Sequence, residues 1–313
     1  MKQLAILLAT YNGERFLEEM LASLENQTYQ QFICYIHDDG SSDGTQETID
    51  KWVQQHPDRY HILEGEPLGS AKANFLWMLS QVEADYYMFA DQDDVWLPDK
   101  ISKSVQALLQ IPADAEEPAC VFTDMYVVDE ELKVISDSFI RYIGRAPERI
   151  ELSQLLVENP AAGCTQIFNK PLRKLALQLR DVRCIEMHDI WVLALAATFG
   201  KSHVEVVDEP LVYYRQHETN EMGAVAKTKA QKLWKNVMQL CTGEIWKKKR
   251  EYINLARDLA DQLSKVTGLP QEQIAFLEEF SRISQKSKWQ RIQFYRMHNI
   301  KKNHGTLWMY LWV

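Results

Sequence analysis

The feature that most constrains this chain is a pattern repeated along its first 96 residues: a short apolar run, a cluster of turn-forming polar residues, then apolar residues at helical spacing. Leu4 to Ala9 ends in Thr10-Tyr11-Asn12-Gly13, and Glu14 to Gln27 then carries Phe16, Leu17, Met20, Leu21 and Leu24 at helical intervals. Phe32 to Ile36 runs into His37-Asp38-Asp39-Gly40-Ser41-Ser42-Asp43-Gly44-Thr45, with a helix predicted over Thr45 to Gln55. Tyr60 to Leu63 precedes a predicted helix from Ser70 to Gln81, and Tyr86 to Ala90 ends at Asp91-Gln92-Asp93-Asp94. Strands alternating with helices predict an α/β fold, a mainly parallel sheet with helices on both faces. Ligands bind such sheets beyond the carboxyl ends of the strands, so the polar clusters are expected to converge there.

Further signals are mixed: strands over Ala119 to Val128, Gly163 to Phe168, His203 to Val207 and Leu211 to Tyr214, with a helix over His188 to Phe199. Beyond Ala226 the pattern is helical, with few turn residues before Gly268-Leu269-Pro270. The expected division is therefore a catalytic domain over 1–226 and a helical C-terminal segment over 227–313. At 313 residues, 46% of them hydrophobic, the chain can bury a core without disulfides. Its five cysteines are odd in number and contain no C-x-x-C pair, which fits a reducing compartment and supports neither a disulfide framework nor a zinc knuckle. The apolar start is too short for a secretion signal, and Ile190 to Phe199, the longest nearly apolar stretch, is too short to span a membrane.

The net charge of −9 hides an asymmetry. Residues 1–226 hold 18 Lys and Arg against 37 Asp and Glu, a net of −19, whereas 227–313 hold 17 against 7, a net of +10. The basic segment also carries Trp234, Trp246, Tyr252, Trp289, Phe294, Tyr295, Trp308, Tyr310 and Trp312. Cations mixed with Trp and Tyr suit a water–lipid boundary, so an anionic membrane surface is the expected partner. The alternatives are packing against the chain's own acidic body, or a homodimer interface through Leu233, Trp234, Val237, Met238 and Leu240. No recognised nucleic-acid motif accompanies the charge, so nucleic acid is not an expected partner.

A GxGxxG fingerprint and a GxxxxGK[ST] loop are both absent, which removes most support for hydride transfer and for nucleotide triphosphatase chemistry. What remains is an acidic set at consecutive strand ends, Asp38, Asp39, Asp43, Asp91, Asp93 and Asp94. Grouped carboxylates favour a hard divalent cation, Mg²⁺ or Mn²⁺. Turn-shaping and helix capping account better for Asp43 and Asp99.

Thr10-Tyr11-Asn12, Asp38-Asp39-Gly40-Ser41-Ser42-Asp43-Gly44-Thr45 and Asp91-Gln92-Asp93-Asp94-Val95-Trp96, in that order at strand ends, resemble the family 2 glycosyltransferases, which have the Rossmann-like GT-A fold. Met187-His188-Asp189-Ile190-Trp191 and Tyr214-Arg215-Gln216-His217 extend the resemblance to about residue 220. Taken with these, the Asp-Gln-Asp-Asp-Val-Trp form is most similar to bacterial rhamnosyltransferases of cell-wall or capsular polysaccharide synthesis.

The resemblance implies a metal-dependent inverting transfer of a sugar, L-rhamnose from dTDP-L-rhamnose, to a hydroxyl of a polysaccharide or lipid-linked glycan acceptor at the cytoplasmic face of the membrane. It implies that Asp91 and Asp93 form the DxD element, with Asp93 the direct metal ligand and Asp91 nearer the ribose. His217 is a further metal or diphosphate contact. Thr10, Tyr11, Asn12, Glu14, Asp39, Lys72, Gln92 and Arg215 are the other donor-binding candidates. Asp189 matches the general base; its position at the start of an apolar helix also allows a mere capping role. Trp96, Met187, His188 and Trp191 are candidates for the sugar or acceptor pocket, with core packing as the alternative. A UDP-hexose or UDP-N-acetylhexosamine donor, a non-catalytic glycan-binding module and a nucleotidyltransferase are the competing readings. The last lacks its Gly-rich basic loop after the first strand.

Overall fold

The structure is a computed structural model that describes residues 2–111, 116–217 and 244–303. In chain order its elements are β1 (Leu4–Thr10), α1 (Leu17–Glu25), β2 (Phe32–Asp38), α2 (Thr45–Gln55), β3 (Tyr60–Ile62), α3 (Ala71–Gln81), β4 (Tyr86–Asp91), β5 (Val95–Trp96) and α4 (Lys100–Gln110). There follow β6 (Cys120–Val128), β7 (Val134–Ser136), α5 (Phe139–Tyr142), α6 (Leu152–Leu155), β8 (Gln166–Asn169), α7 (Lys170–Ala176), α8 (His188–Ala197) and β9 (Val204–Arg215). Three helices complete the described chain: α9 (Glu244–Ser264), α10 (Gln271–Ser281) and α11 (Lys288–Met297).

Eight of the nine strands lie in the order β3-β2-β1-β4-β8-β6-β9-β5, and β7 pairs with β6. The first four are parallel, so β1, β2 and β4 all end at one edge, with Thr10 opposite Asp38 and Ala9 opposite Asp91. β8 enters antiparallel between β4 and β6, while β9 runs parallel to β6. Where the sequence predicts two strands, β9 is one. Its register against β6 shifts at Asp124, and the Asp208-Glu209-Pro210 stretch, exposed at its two acidic residues, reads as a break although the strand continues through it.

Alternation along the strands builds two cores. On β1, Ala5 and Leu7 face one layer and Leu4, Ile6 and Leu8 the other; on β4, Tyr87 and Phe89 oppose Tyr86, Met88 and Ala90. Leu17, Met20, Leu21 and Leu24 of α1, Ile49 of α2 and Ile101 of α4 close one side. On the other side α3 and α8 pack over the sheet. Leu259, Ala260 and Leu263 of α9, Leu277 and Phe280 of α10, and Phe294 and Tyr295 of α11 join that same core. The described C-terminal helices therefore share a core with the preceding residues.

This packing corrects the expectation for several tail aromatics. Phe294 and Tyr295 are buried, and the Tyr252 hydroxyl bonds inward to Val157 O, whereas Trp289 is 81% exposed. Trp234, Trp308, Tyr310, Trp312 and the stretch from Leu233 to Leu240 lie outside the described residues, as does the Trp246 side chain.

Candidate active site

The loops after β1, β2 and β4 meet because their side chains bond across to one another. Asn12, in the left-handed region at φ 48° where Asn is well tolerated, donates its backbone N–H to Ser41 Oγ and accepts from Ser42 N through Oδ1, both at 2.8 Å. Glu14 Oε2 accepts from Gly44 N at 3.0 Å. Gln92 clasps the first loop twice, its Oε1 accepting from Tyr11 N and its Nε2 donating to Tyr11 O. That clasp needs Gly13, because a Cβ there would stand 2.0 Å from Gln92 Oε1. Thr10 Oγ1 donates to Asp38 Oδ1 at 2.8 Å, and buried Asp39 accepts from Leu68 N and Gly69 N, which fixes the loop before α3. The donor candidates Thr10, Tyr11, Asn12, Glu14, Asp39 and Gln92 thus form one connected rim, with several of their polar groups engaged by neighbouring loops.

At the edge of this rim the chain brings together residues 124 positions apart. His217 Nε2 lies 2.7 Å from Asp93 Oδ2, and its ring packs on Phe16 with centroids 5.2 Å apart. Carboxylate and imidazole donors at one point suit a divalent ion such as Mn²⁺. Asp91, half-buried, and Asp94, 1% exposed, also present oxygens within 4.8 Å of each other and of Cys164 Sγ. Burial and the charges of Asp93 and Asp91 hold the Asp94 carboxyl well above the usual range. Two donor sets thus lie in the acidic loop: Asp93 with His217, and Asp91 with Asp94 and Cys164.

Arg215 has a different place from the one expected. It is 2% exposed, donates from Nε to Asp93 O at 3.0 Å, and reaches Glu130 O and the Glu19 carboxylate with its other nitrogens. Its guanidinium also sits 4.4 Å from the Phe16 ring centroid. With each of its three nitrogens engaged on an acceptor, Arg215 braces the Asp93 loop from within. Lys72 likewise donates Nζ to Ile185 O at 2.7 Å, tying α3 to the loop that leads into α8.

That loop delivers Asp189. The cap position of α8 is Met187, and Asp189 stands inside the first turn, half-buried, so capping does not explain it. Burial pushes its carboxyl up to about 7 despite the bond from Ile190 N, and Glu186 adds to the rise. A carboxylate that exchanges its proton near neutrality is suited to general-base work. Asn159 lies beside it, and Gln166 Nε2 donates to its backbone carbonyl at 3.0 Å.

Three of the expected pocket residues are core instead. Trp191 is fully buried with Nε1 donating to Ala176 O. His188 lies between Phe75 and Phe89, its pKa driven down to about 3 by burial, and Gly163 admits it because a Cβ there would meet Nε2 at 2.5 Å. Trp96 is 2% exposed beneath the acidic loop, with Lys100 Nζ 3.7 Å above its ring. Met187 remains half-buried at the α8 start. Glu19, Phe16, Asn159 and Gln166 were not singled out in the sequence. Phe16 and Glu19 read only as part of an amphipathic helix, and Asn159 and Gln166 carry no local signal.

Comparison with known proteins gives this geometry a family. The profile of glycosyl transferase family 2 matches residues 5–174. The dTDP-rhamnosyl transferase RfbG of Shigella flexneri is 27% identical over 233 residues, covering 71% of this chain and 76% of the relative. Among solved structures, S. aureus TarS 1–349 in complex with UDP superposes with a TM-score of 0.55 at 16% identity, covering 92% of this chain and 73% of that one. The mannosyltransferase PcManGT from Pyrobaculum calidifontis, in complex with GDP-Man and Mn²⁺, gives 0.52 at 16% identity, covering 94% and 73%. The sheet, the order of the acidic loops and the profile over residues 5–174 agree, and the chain belongs to the family 2 glycosyltransferases, on a GT-A fold.

Proposed function

We propose that this glycosyltransferase moves L-rhamnose from dTDP-L-rhamnose to a hydroxyl of a lipid-linked cell-surface polysaccharide, with inversion and with Mn²⁺ or Mg²⁺ bound. The observation that carries the reading is the contact between Asp93 and His217, in the acidic loop that also holds Asp91; the Asp189 carboxyl, raised to about 7, supports it. The choice of rhamnose is supported by the Shigella relative. Asp93, His217 and Asp91 would hold the ion, which when bound offsets charge on the departing nucleoside diphosphate. Asp189 takes the acceptor proton as the hydroxyl oxygen forms its bond to the anomeric carbon. The bond from that carbon to the donor phosphate breaks, and its electron pair leaves with the diphosphate. Asn159 and Gln166 orient the base; Arg215 holds Asp93 through its backbone carbonyl.

The proposal places the enzyme on the cytoplasmic side, peripheral to the membrane. Among the described residues no helix is long and apolar enough to cross one. Trp289 and Met297 project from α11 near Lys288 and Arg296, and Lys247, Lys248 and Arg250 are exposed at the start of α9, which supports contact with an anionic surface.

Calorimetric titration with dTDP-rhamnose, UDP-glucose and UDP-N-acetylglucosamine, each with Mn²⁺ and with chelator, tests the reading. Preference for dTDP-rhamnose that disappears with chelator is the expected result. Preference for a UDP-sugar would replace the donor, and binding of none would point to a different donor or to a non-catalytic module. Vesicles containing phosphatidylglycerol are expected to retain the protein, and substituting Lys247, Lys248 and Arg250 together to weaken that retention.

A further inference from the structure

Two loops reach Asp189, and the C-terminal helices touch both. The first, Glu158 to Ala162, lies between α6 and β8 and has neither helix nor ladder to fix it. Side chains set its place instead. Asn159 Oδ1 accepts from Ala161 N at 3.0 Å, which turns Nδ2 toward the Asp189 carboxylate as a donor. Immediately before Asn159 the chain is clasped at two successive residues. The Tyr252 hydroxyl of α9 donates to Val157 O, and Asn303, beyond α11, donates its backbone N–H to Glu158 Oε2 at 2.6 Å.

The second loop leads into α8. Here α9 packs on Val182–Cys184, and Ile185 shares an apolar layer with Leu259 and Ala260 of that helix. Lys72 Nζ holds Ile185 O from the α3 side at 2.7 Å. Tyr252 lies within electrostatic reach of Glu186, and Glu186 acts in turn on Asp189. Tyr252 therefore stands where the two loops approach each other, with its hydroxyl on a backbone carbonyl two residues from Asn159. An amide that must meet a carboxylate tolerates little displacement, since a shift of about 1 Å at a reacting group can cost about 10²-fold in rate.

We propose that Tyr252 is a positioning residue for the base: by holding Val157 O it sets Asn159 against Asp189, so that the C-terminal helices complete the catalytic apparatus. This rests on Asp189 being the base of the transferase described above.

Two measurements on the full chain test it. The first is amide hydrogen exchange. Tyr252→Phe is expected to speed exchange in residues 157–162, Ala161 N–H included, and to leave β1 to β4 as protected as before. The second is turnover of dTDP-rhamnose with Mn²⁺, or of a UDP-sugar if that is the donor bound, with water as acceptor. The water oxygen bonds to the anomeric carbon, its proton passes to Asp189, and the nucleoside diphosphate leaves with the electron pair of the broken bond. Tyr252→Phe should lower kcat by about tenfold with donor KM unchanged. Asn159→Ala should do the same, and the double variant should lose no more than Asn159→Ala alone, because the two act in series. In both single variants the rise of kcat with pH should move to higher pH, because the lost amide bond favoured the ionised carboxylate. A tyrosine with a merely structural role would lower the thermal midpoint and move neither the pH limb nor the cycle. Unchanged exchange in 157–162 overturns the proposal, as does an unchanged kcat or a loss that adds fully to that of Asn159→Ala. Exchange decides alone where water is too slow an acceptor to give measurable turnover. If Tyr252→Phe does not fold, Tyr252→His, too short to reach Val157 O, carries the same test. Full turnover by Asp189→Asn would defeat the base assignment; an inactive Asp189→Asn beside an unaffected Tyr252→Phe would defeat this inference alone.

Discussion

Asp189 is half-buried with its carboxyl raised to about 7, and both its chemistry and its cost follow from that. As the base it must be ionised, so kcat is expected to rise with pH through about 7. Asp189→Asn should lower kcat by about 10²–10⁴-fold with little change in nucleotide affinity, measured by transfer assay and calorimetry. The folded pKa lies above the unfolded one, so the folded state binds more protons between about 4 and 7. Stability therefore falls as pH rises across that window, and the penalty is complete above it. Asp189→Asn should accordingly raise the thermal midpoint at pH 8, by the equivalent of about 1–2 kcal/mol after allowing for partial exposure, and have no such effect below pH 4. Arg215 gives the opposite result. Arg215→Met leaves the Asp93 and Glu130 carbonyls and the Glu19 carboxylate without their donor, so unfolding free energy should fall by about 2–4 kcal/mol and metal-dependent nucleotide binding should weaken with it. The sequence marks Asp189, Asp93, His217 and Arg215 as one constellation. It does not reveal that Arg215 faces inward, because the Glu19 and Glu130 partners that neutralise it are set by tertiary packing.

At the scale of elements, close backbone approaches separate the two halves of the site. Gly13 allows the first loop to meet Gln92, whereas Gly163 allows His188 to seat the start of α8. Gly13→Ala should therefore disturb the donor rim and raise KM for the nucleotide sugar. Gly163→Ala should move the α8 terminus and lower kcat at saturating donor; steady-state kinetics of the two variants checks this split. Helix and strand periods were readable because α1 to α3 and β1 to β4 each bury apolar residues at their own spacing. Thr45–Gln55 agrees with its expected limits at both ends. β9 was not readable as one strand, since Asp208 and Glu209 face solvent on a register shift against β6 and carry turn-like composition.

For the molecule as a whole, the division near residue 226 follows charge, while the core does not. Leu259, Leu263, Leu277 and Phe280 lie in the same apolar layer as α3 and α8. A chain ending at residue 226 would expose that layer, at about 25 cal/mol per Å² of apolar surface. It is expected to be insoluble or to unfold many degrees lower, and calorimetry of the full chain to show a single transition. Local physics is enough to settle much of this protein from sequence. Alternating apolar runs and turn clusters dictate parallel strands with their acidic ends on one edge, because strand period and turn chemistry act over a few residues. Which polar groups remain available for chemistry is a different question. Trp96, Trp191 and His188 carry the same local signals as pocket residues, yet the three-dimensional packing buries them. Only tertiary contact between segments 30 to 150 residues apart, such as Asn12 with Ser42, His217 with Asp93 and Glu158 with Asn303, decides which side chains are left to meet a ligand.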